Sequence, residues 1–383
     1  MSLKILWLTS HFPTHPESSY GLYLWHPLQA LKKKGVEIIV LNVQSWKPFY
    51  HKPIDYEQFP VEIINCHYLS IPRHYLRVFS NYFFIVRAVF MIHKLNKLYG
   101  FDVIHAHGEV CGLAAVAASR KLNIPSAVTI HGIETCERMW KGLSGKMFYR
   151  MLNKIHRIIY VGEPLQKHFQ KFLYHKNHSC IIHNGFSLPS SQQLLDRVID
   201  NKPVRLVSVS LLQEGKGVDL TLRALAKLKN KGVNNWTYTI IGTGPLKKQY
   251  EDMVMQFDLK DKIAFKGECT HTKVYSYLQD ADIFCLPSYR EAFGIVYLEA
   301  MANGLLTIGV KGQGPQAFID HDRTGFLVEP KNSDHLAEIL TDTINNFEAM
   351  HPIAKAGKKY VLENLTWEKH AEKLHSIYKE MHV

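Results

Sequence analysis

The stretch Leu286-Pro-Ser-Tyr-Arg-Glu-Ala-Phe-Gly-Ile-Val-Tyr-Leu-Glu-Ala-Met-Ala-Asn-Gly304 joins an apolar run, a polar turn and a helical pattern. The run ends at Leu286, and the helix is predicted to start near Phe293 or Gly294. Glycine at that start lets another group approach the backbone closely. The free amides of Phe293, Gly294 and Ile295 then form an anion site reinforced by the helix dipole. Glu291 precedes the helix and Glu299 lies inside it, about 80° apart around the axis if the spacing were strictly helical. Carboxylates accept hydrogen bonds from sugar hydroxyls and repel a diphosphate. The pattern therefore points Glu291 toward a transferred sugar, the amides toward phosphate and Glu299 toward ribose.

Other residues are placed to join this chemistry. Lys216-Gly217 follows a predicted strand and opens a helix, where an ammonium can reach a diphosphate or simply be solvated. Gly242-Thr243-Gly244-Pro245-Leu246 is a tight strand-to-helix turn. It does not meet the dinucleotide pattern, having neither a third glycine nor a convincing downstream ribose acid. His131, in Thr129-Ile130-His131-Gly132, follows a buried strand, and its imidazole can donate hydrogen bonds, neutral or protonated, without a permanent charge. His107 ends another strand and serves either the acceptor side or a capping and packing role.

These positions need a scaffold, and the apolar periodicity supplies one. Short apolar runs alternate with helical patterns from end to end, the sign of parallel βαβ units. Strands are expected at Lys4–Thr9, Glu37–Asn42, Asp102–Ala106, Ala127–Ile130, Ile158–Val161 and Cys180–His183. A second series covers Arg205–Ser210, Thr237–Ile241, Ile263–Lys266, Ile283–Leu286 and Leu306–Val310. Residues 188–203 break the rhythm with Leu-Pro-Ser-Ser and Asn-Lys-Pro and read as a linker. With 383 residues, two domains are the natural expectation. They are a first doubly wound domain over 1–187 and a second over 204–365. Residues 366–383 form a terminal helix expected to pack back on the first. Doubly wound sheets bind ligands at the carboxyl ends of their strands, so the active site is expected in a cleft between the two domains.

Composition narrows the classes. Hydrophobic residues at 46% and charged ones at 21% fit a folded globular chain. Residues 1–190 hold 22 Lys+Arg against 10 Asp+Glu, so the whole +12 balance lies in that half. An anionic partner is expected there. Six cysteines without a CxxC pair fit a reducing cytoplasm. The 22 histidines show no metal-binding spacing, so no metal is expected. No apolar run is long enough to span a bilayer. From Arg73 to Lys97, basic residues interleave with Tyr75, Phe79, Tyr82, Phe83, Phe84 and Phe90. Such a segment suits an anionic bilayer interface, or else a packed helix with a solvated basic face.

Glu291–Gly304 resembles the hallmark of retaining glycosyltransferases of family four, Glu-Pro-Phe-Gly-Leu-x-x-x-Glu-Ala-Met-Ala-x-Gly, with Ala292 in place of proline. Gly312-Gln-Gly-Pro-Gln316, Asp322–Val328 (read as a turn), Val161–Leu165 and Asn184-Gly-Phe186 resemble further family segments in the right order. The resemblance implies a GT-B fold of two Rossmann-like domains and a metal-independent transfer from a nucleotide diphosphate sugar, a UDP-sugar before a GDP-sugar. It implies that Glu291 contacts the sugar, Glu299 the ribose, Lys216 the diphosphate, His131 the sugar and phosphate, Gly244 the nucleotide and Gly21 the diphosphate. Relatives carry an arginine where this chain has Leu211, and a glutamate where it has Gln316. The acceptor is expected to be a glycan or lipid-linked molecule of bacterial surface polysaccharide assembly, at the inner face of the cytoplasmic membrane. The alternatives are a binding protein descended from a transferase or, from charge alone, a nucleic-acid binder; no recognition motif supports the latter, and no nucleic-acid partner is expected.

Overall fold

The computed structural model describes residues 2–15, 21–46, 56, 58–70, 77–132, 145, 148–150, 152–173, 178–187 and 203–382. The expected linker 188–203 lies outside them except for Pro203, as do Arg73 and Tyr75. The chain divides into two compact units, 1–183 with 367–383, and 184–366.

The first unit is a seven-stranded parallel sheet, β1 (Lys4–Thr9), β2 (Glu37–Trp46), β3 (Glu62–Leu69), β4 (Val103–His107), β5 (Ser126–Ile130), β6 (Arg157–Tyr160) and β7 (Ser179–Ile181). Its order is β3-β2-β1-β4-β5-β6-β7. Its central strands are continuous apolar runs because helices cover both faces of a sheet built by right-handed crossovers. Ile5, Leu6, Leu8, Val103, Ile104, Val128 and Ile158 are accordingly buried. Helices α1 (Leu22–Lys33), α2 (Arg77–Tyr99), α3 (Glu109–Leu122) and α4 (Glu163–Gln170) belong to this unit.

The second unit repeats the plan with β8 (Val204–Val209), β9 (Trp236–Ile241), β10 (Ile263–Gly267), β11 (Ile283–Cys285), β12 (Leu306–Val310) and β13 (Phe326–Val328). Its parallel order is β10-β9-β8-β11-β12-β13. Helices α5 (Val218–Asn230), α6 (Lys247–Gln256), α7 (His271–Asp280), α8 (Ile295–Ala302), α9 (Ser333–Asn345) and α10 (His351–Asn364) belong to it. The last helix, α11 (Trp367–His382), is part of the first unit. Each unit is Rossmann-like, and in each the strand order reverses beside the first strand of the series, at β1/β4 and β8/β11.

Two strands escape the sequence reading. Edge strand β3 pairs with β2 from Ile39↔Glu62 to Trp46↔Leu69, which extends β2 to Trp46. Its run Glu-Ile-Ile-Asn-Cys-His-Tyr-Leu is half polar because most of it is partly exposed. Asp322–Val328 closes into β13 over its last three residues, pairing Ile308↔Phe326.

In α2 the buried stripe is Phe84, Ala88, Ile92 and Leu95. On the opposite side Phe79, Tyr82, Phe83, Val86 and Phe90 are exposed, at the three- and four-residue spacing of one helical face. Exposed Arg87, Lys94 and Lys97 continue that face, and the Arg87 guanidinium lies over the Phe90 ring. Among the described residues no helix is long and apolar enough to cross a membrane.

Candidate active site

In the second unit the loops leaving β8 and β11 come together at the point where the strand order reverses. Lys216 stands on the first and Glu291 on the second, and Lys216 Nζ donates to Glu291 Oε2 at 3.0 Å. Both side chains are mostly buried. The Ser288 hydroxyl and the Tyr289 amide both donate to the Gly215 carbonyl, at 3.0 and 2.9 Å, and tie the loops together. Gly217 caps α5 with φ +76, and a Cβ there would lie 2.2 Å from the Pro287 carbonyl oxygen. Only glycine allows that approach, so the loops cannot close around any other residue.

Glu291 is held by its backbone as well. Its amide donates to Gln313 Oε1 at 3.0 Å, and its carbonyl accepts from the Gly314 amide at 2.9 Å. Gly294, at φ +91, caps α8 and sets Ile295 as its first residue. A helix start leaves its first amides without an internal acceptor, and Phe293, Gly294 and Ile295 stand there. The Phe293 side chain is buried against Phe318, with ring centroids 5.3 Å apart. Inside α8, Glu299 is buried, and its Oε1 lies 2.8 Å from His271 Nε2 at the start of α7. Burial works to lower the His271 pKa, but the Glu299 hydrogen bond and charge outweigh it and raise the imidazole above its ordinary value. Gly244 lies in the turn after β9. The Leu246 amide donates to Leu212 O and the Leu212 amide to Thr243 O, binding that turn to the loop after β8. Leu211 itself is exposed, and the Gln316 carboxamide accepts from the Gly312 amide.

The first unit gathers histidines instead. His107 closes β4 and His131 follows β5, whose register pairs His107 with Thr129. His107 Nδ1 lies 3.1 Å from His131 Nε2, with the rings inclined by 22°. Tyr23 of α1 packs on His131 with centroids 4.5 Å apart, and Gly21, at φ +82, caps that helix. His105 sits behind this pair. The Trp7 indole can only donate, and it gives its proton to Tyr378 Oη at 3.0 Å. The Tyr378 hydroxyl therefore donates to His105 Nδ1, and His105 Nε2–H donates to Thr129 Oγ1 at 2.8 Å.

Burial lowers the basicity of the whole group, and the histidines' mutual repulsion adds to it. His105 and His131 are each pushed down to about 3, His370 to about 4, and His107 well below its ordinary value. The imidazoles are neutral at pH 7. His107 Nε2 and His131 Nδ1 are buried without a hydrogen-bond partner among the described residues, so each has a polar atom left for a ligand.

The structure thus gathers Lys216, Glu291, Phe293, Gly294, Ile295, Glu299 and Gly244 in the second unit, and Gly21, His107 and His131 in the first. The sequence reading missed His271, Gln313, His105, His370 and Tyr378. Their partners lie far away along the chain, so spacing alone carried no signal for them.

Comparison with known proteins matches both parts of the chain to glycosyltransferase families. The family described as Glycosyltransferase Family 4 matches residues 21–188, and that described as Glycosyl transferases group 1 matches residues 193–360. An uncharacterized glycosyltransferase of Methanocaldococcus jannaschii is 24% identical over 98% of both chains. The amylovoran biosynthesis glycosyltransferase AmsK of Erwinia amylovora is 32% identical over 42% of this chain and 41% of its own. The solved structure of Anabaena HepE in complex with UDP-glucose superposes with a TM-score of 0.74, at 18% identity, over 99% of this chain and 100% of that one.

Proposed function

Because the chain belongs to the group 1 glycosyl transferases of the GT-B fold, we propose that it transfers a sugar, with retention of anomeric configuration, from a nucleotide diphosphate sugar to a glycan or lipid-linked acceptor. The observation that carries this reading is the Lys216–Glu291 pair beside the start of α8. A lysine has three donor protons, so Lys216 serves the diphosphate while remaining on Glu291. The helix-start amides take the rest of the phosphate charge, Glu291 holds the sugar, and Glu299 holds the ribose. A neutral imidazole has one N–H, so with Nε2 accepting from His107 Nδ1–H, His131 donates from Nδ1 to the sugar or the phosphate. In this scheme the nucleotide diphosphate departs, the acceptor attacks on the same face, and a donor phosphate oxygen takes the acceptor proton. The protein contributes positioning and charge stabilisation, with no metal.

UDP-sugars are the first choice of donor, supported by the UDP-glucose complex of HepE, and GDP-sugars the second. A surface polysaccharide acceptor is supported by the naming of AmsK for amylovoran biosynthesis. The test is turnover of UDP- and GDP-sugars by chelator-treated enzyme, with product anomers assigned by NMR. An inverted product overturns retention, and activity restored only by Mg²⁺ or Mn²⁺ overturns the metal-free scheme. Donor binding without any turnover supports the binding-protein alternative.

The exposed face of α2 supports a second element, attachment to the anionic inner face of the cytoplasmic membrane. Phe79, Tyr82, Phe83, Val86 and Phe90 provide apolar area, and Arg87, Lys94 and Lys97 provide charge complementary to acidic lipid. Binding to liposomes should rise with anionic lipid, fall with salt, and drop in a Phe83→Ser, Phe90→Ser variant. Equal binding to neutral vesicles defeats the electrostatic part.

A further inference from the structure

Glu299 is only 8% exposed. A polar group so placed needs hydrogen-bond partners within the protein or a ligand. Among the described residues, His271 hydrogen-bonds the Glu299 carboxylate, reaching Oε1 from the start of another helix, 28 residues earlier in the chain. Thr270 fixes that helix start, its hydroxyl accepting from the Lys273 amide. His271 therefore stands on a capped helix with its imidazole turned to the carboxylate, and its raised basicity is the reciprocal of that contact. With Oε1 engaged by His271, Oε2 is the oxygen left to receive a ligand.

We infer that His271 is a positioning residue for the nucleotide: it holds the Glu299 carboxylate so that Oε2 faces the ribose hydroxyls, and by doing so sets the preference for ribonucleotide over deoxyribonucleotide donors. The inference rests on the donor reading above, in which Glu299 meets the ribose. It assigns His271 no role at the reacting bond. A pinned carboxylate binds a diol better than a free one because less orientational freedom is lost on binding.

Calorimetry on the full chain tests this with UDP, GDP and their 2′,3′-dideoxy forms as probes. The wild-type protein should prefer its ribonucleotide over the dideoxy form by roughly ten- to hundredfold, the range of hydrogen bonds to a charged group. His271→Leu should reduce that preference to near unity, leaving affinity for the dideoxy form within about twofold of wild type. His271→Gln keeps an N–H donor within reach and should retain most of the preference, which separates positioning from a requirement of folding. A His271→Leu protein that loses affinity for both forms equally, or keeps the wild-type preference, overturns the inference and leaves the donor reading standing. A folded wild-type protein that binds none of the probes overturns the donor reading, and this inference with it.

Discussion

The two units answer opposite electrostatic questions with nearly the same sheet. Beyond the carboxyl ends of its strands the second unit sets bases against carboxyl groups, pairing Lys216 with Glu291 and His271, whose basicity is raised, with Glu299. In the first unit, His107 and His131 at strand ends, with His105 behind them and His370 on the last helix, are held neutral by their low-dielectric surroundings. Fold therefore does not set the chemistry of a strand end; what the loops and covering helices bring to it does. A charged site can hold a diphosphate and follow charge as it develops. A neutral one can donate hydrogen bonds without drawing the anion away.

Breaking the second unit's central pair should have the largest effect. Glu291→Ala removes the proposed sugar contact and takes Glu291 from Lys216, so kcat should fall by about 10²- to 10³-fold with a smaller change in donor KM. Lys216→Ala should fall as far, through both kcat and donor affinity. Steady-state kinetics that leave either variant within threefold of wild type would remove this pair from the site.

His131→Ala should follow, with kcat reduced about 10- to 100-fold, because a neutral donor contributes less than a charged one. Its pH profile sharpens the comparison. Since His131 is pushed down to about 3, the wild-type kcat should show no histidine ionisation from this residue between pH 5 and 8. A titration near 6.5 that vanishes in His131→Ala would show that the cluster carries charge after all.

Stability should separate the units next, and with opposite signs. The first unit's imidazoles have folded pKa values below their unfolded 6.5. Unfolding takes up protons, so stability falls as pH drops below 6.5 toward the folded values, by about 1.4 kcal/mol per pH unit for each imidazole that must charge. His271 is raised instead. Its contribution is fully present below 6.5 and is lost as pH rises through the folded value. Hydrogen exchange at pH 5 should therefore show β4 and β5 losing protection relative to pH 7 while α7 and α8 keep theirs. Equal loss in both units would break the contrast.

The smallest expected effect is a gain. Leu211 is exposed on the loop that carries Lys216, so Leu211→Arg costs little burial and adds a cation for the diphosphate. Donor Kd should tighten by about three- to tenfold, in the range of one charge-assisted contact partly screened by solvent. Calorimetry showing no change would place the loop's exposed face away from the phosphates.

Legibility in the sequence followed the distance between partners. The segment Glu291–Gly304 carried its helix start, its two carboxylates and its glycine cap in one stretch, and Gly294 caps α8 one residue past the earliest start predicted. Both sheets were visible as alternating apolar runs because a parallel strand buried on both faces must be apolar throughout. The strands that escaped are half-exposed β3, which lacks this signature, and β13, whose buried apolar run is only three residues long. Side-chain partnerships were the least visible. His271 meets Glu299 across 28 residues and Trp7 meets Tyr378 across 371, and no local spacing encodes such pairs. The basic and aromatic character of α2 was plain, but only the helix shows that its aromatics divide between a buried face and an exposed one.

The return of α11 to the first unit orders events during synthesis. The ribosome releases all of β1–β7 and then the whole second unit before it releases Tyr378, whose hydroxyl accepts the hydrogen bond of the Trp7 indole N–H and bonds His105. Domains usually fold in the order in which they emerge. Here the unit begun first is completed last, and until then the buried nitrogens behind His107 and His131 lack the hydroxyl that links them. A stop codon in the final helix at or before Tyr378 would thus spare every residue of the charged site and still dismantle the neutral one.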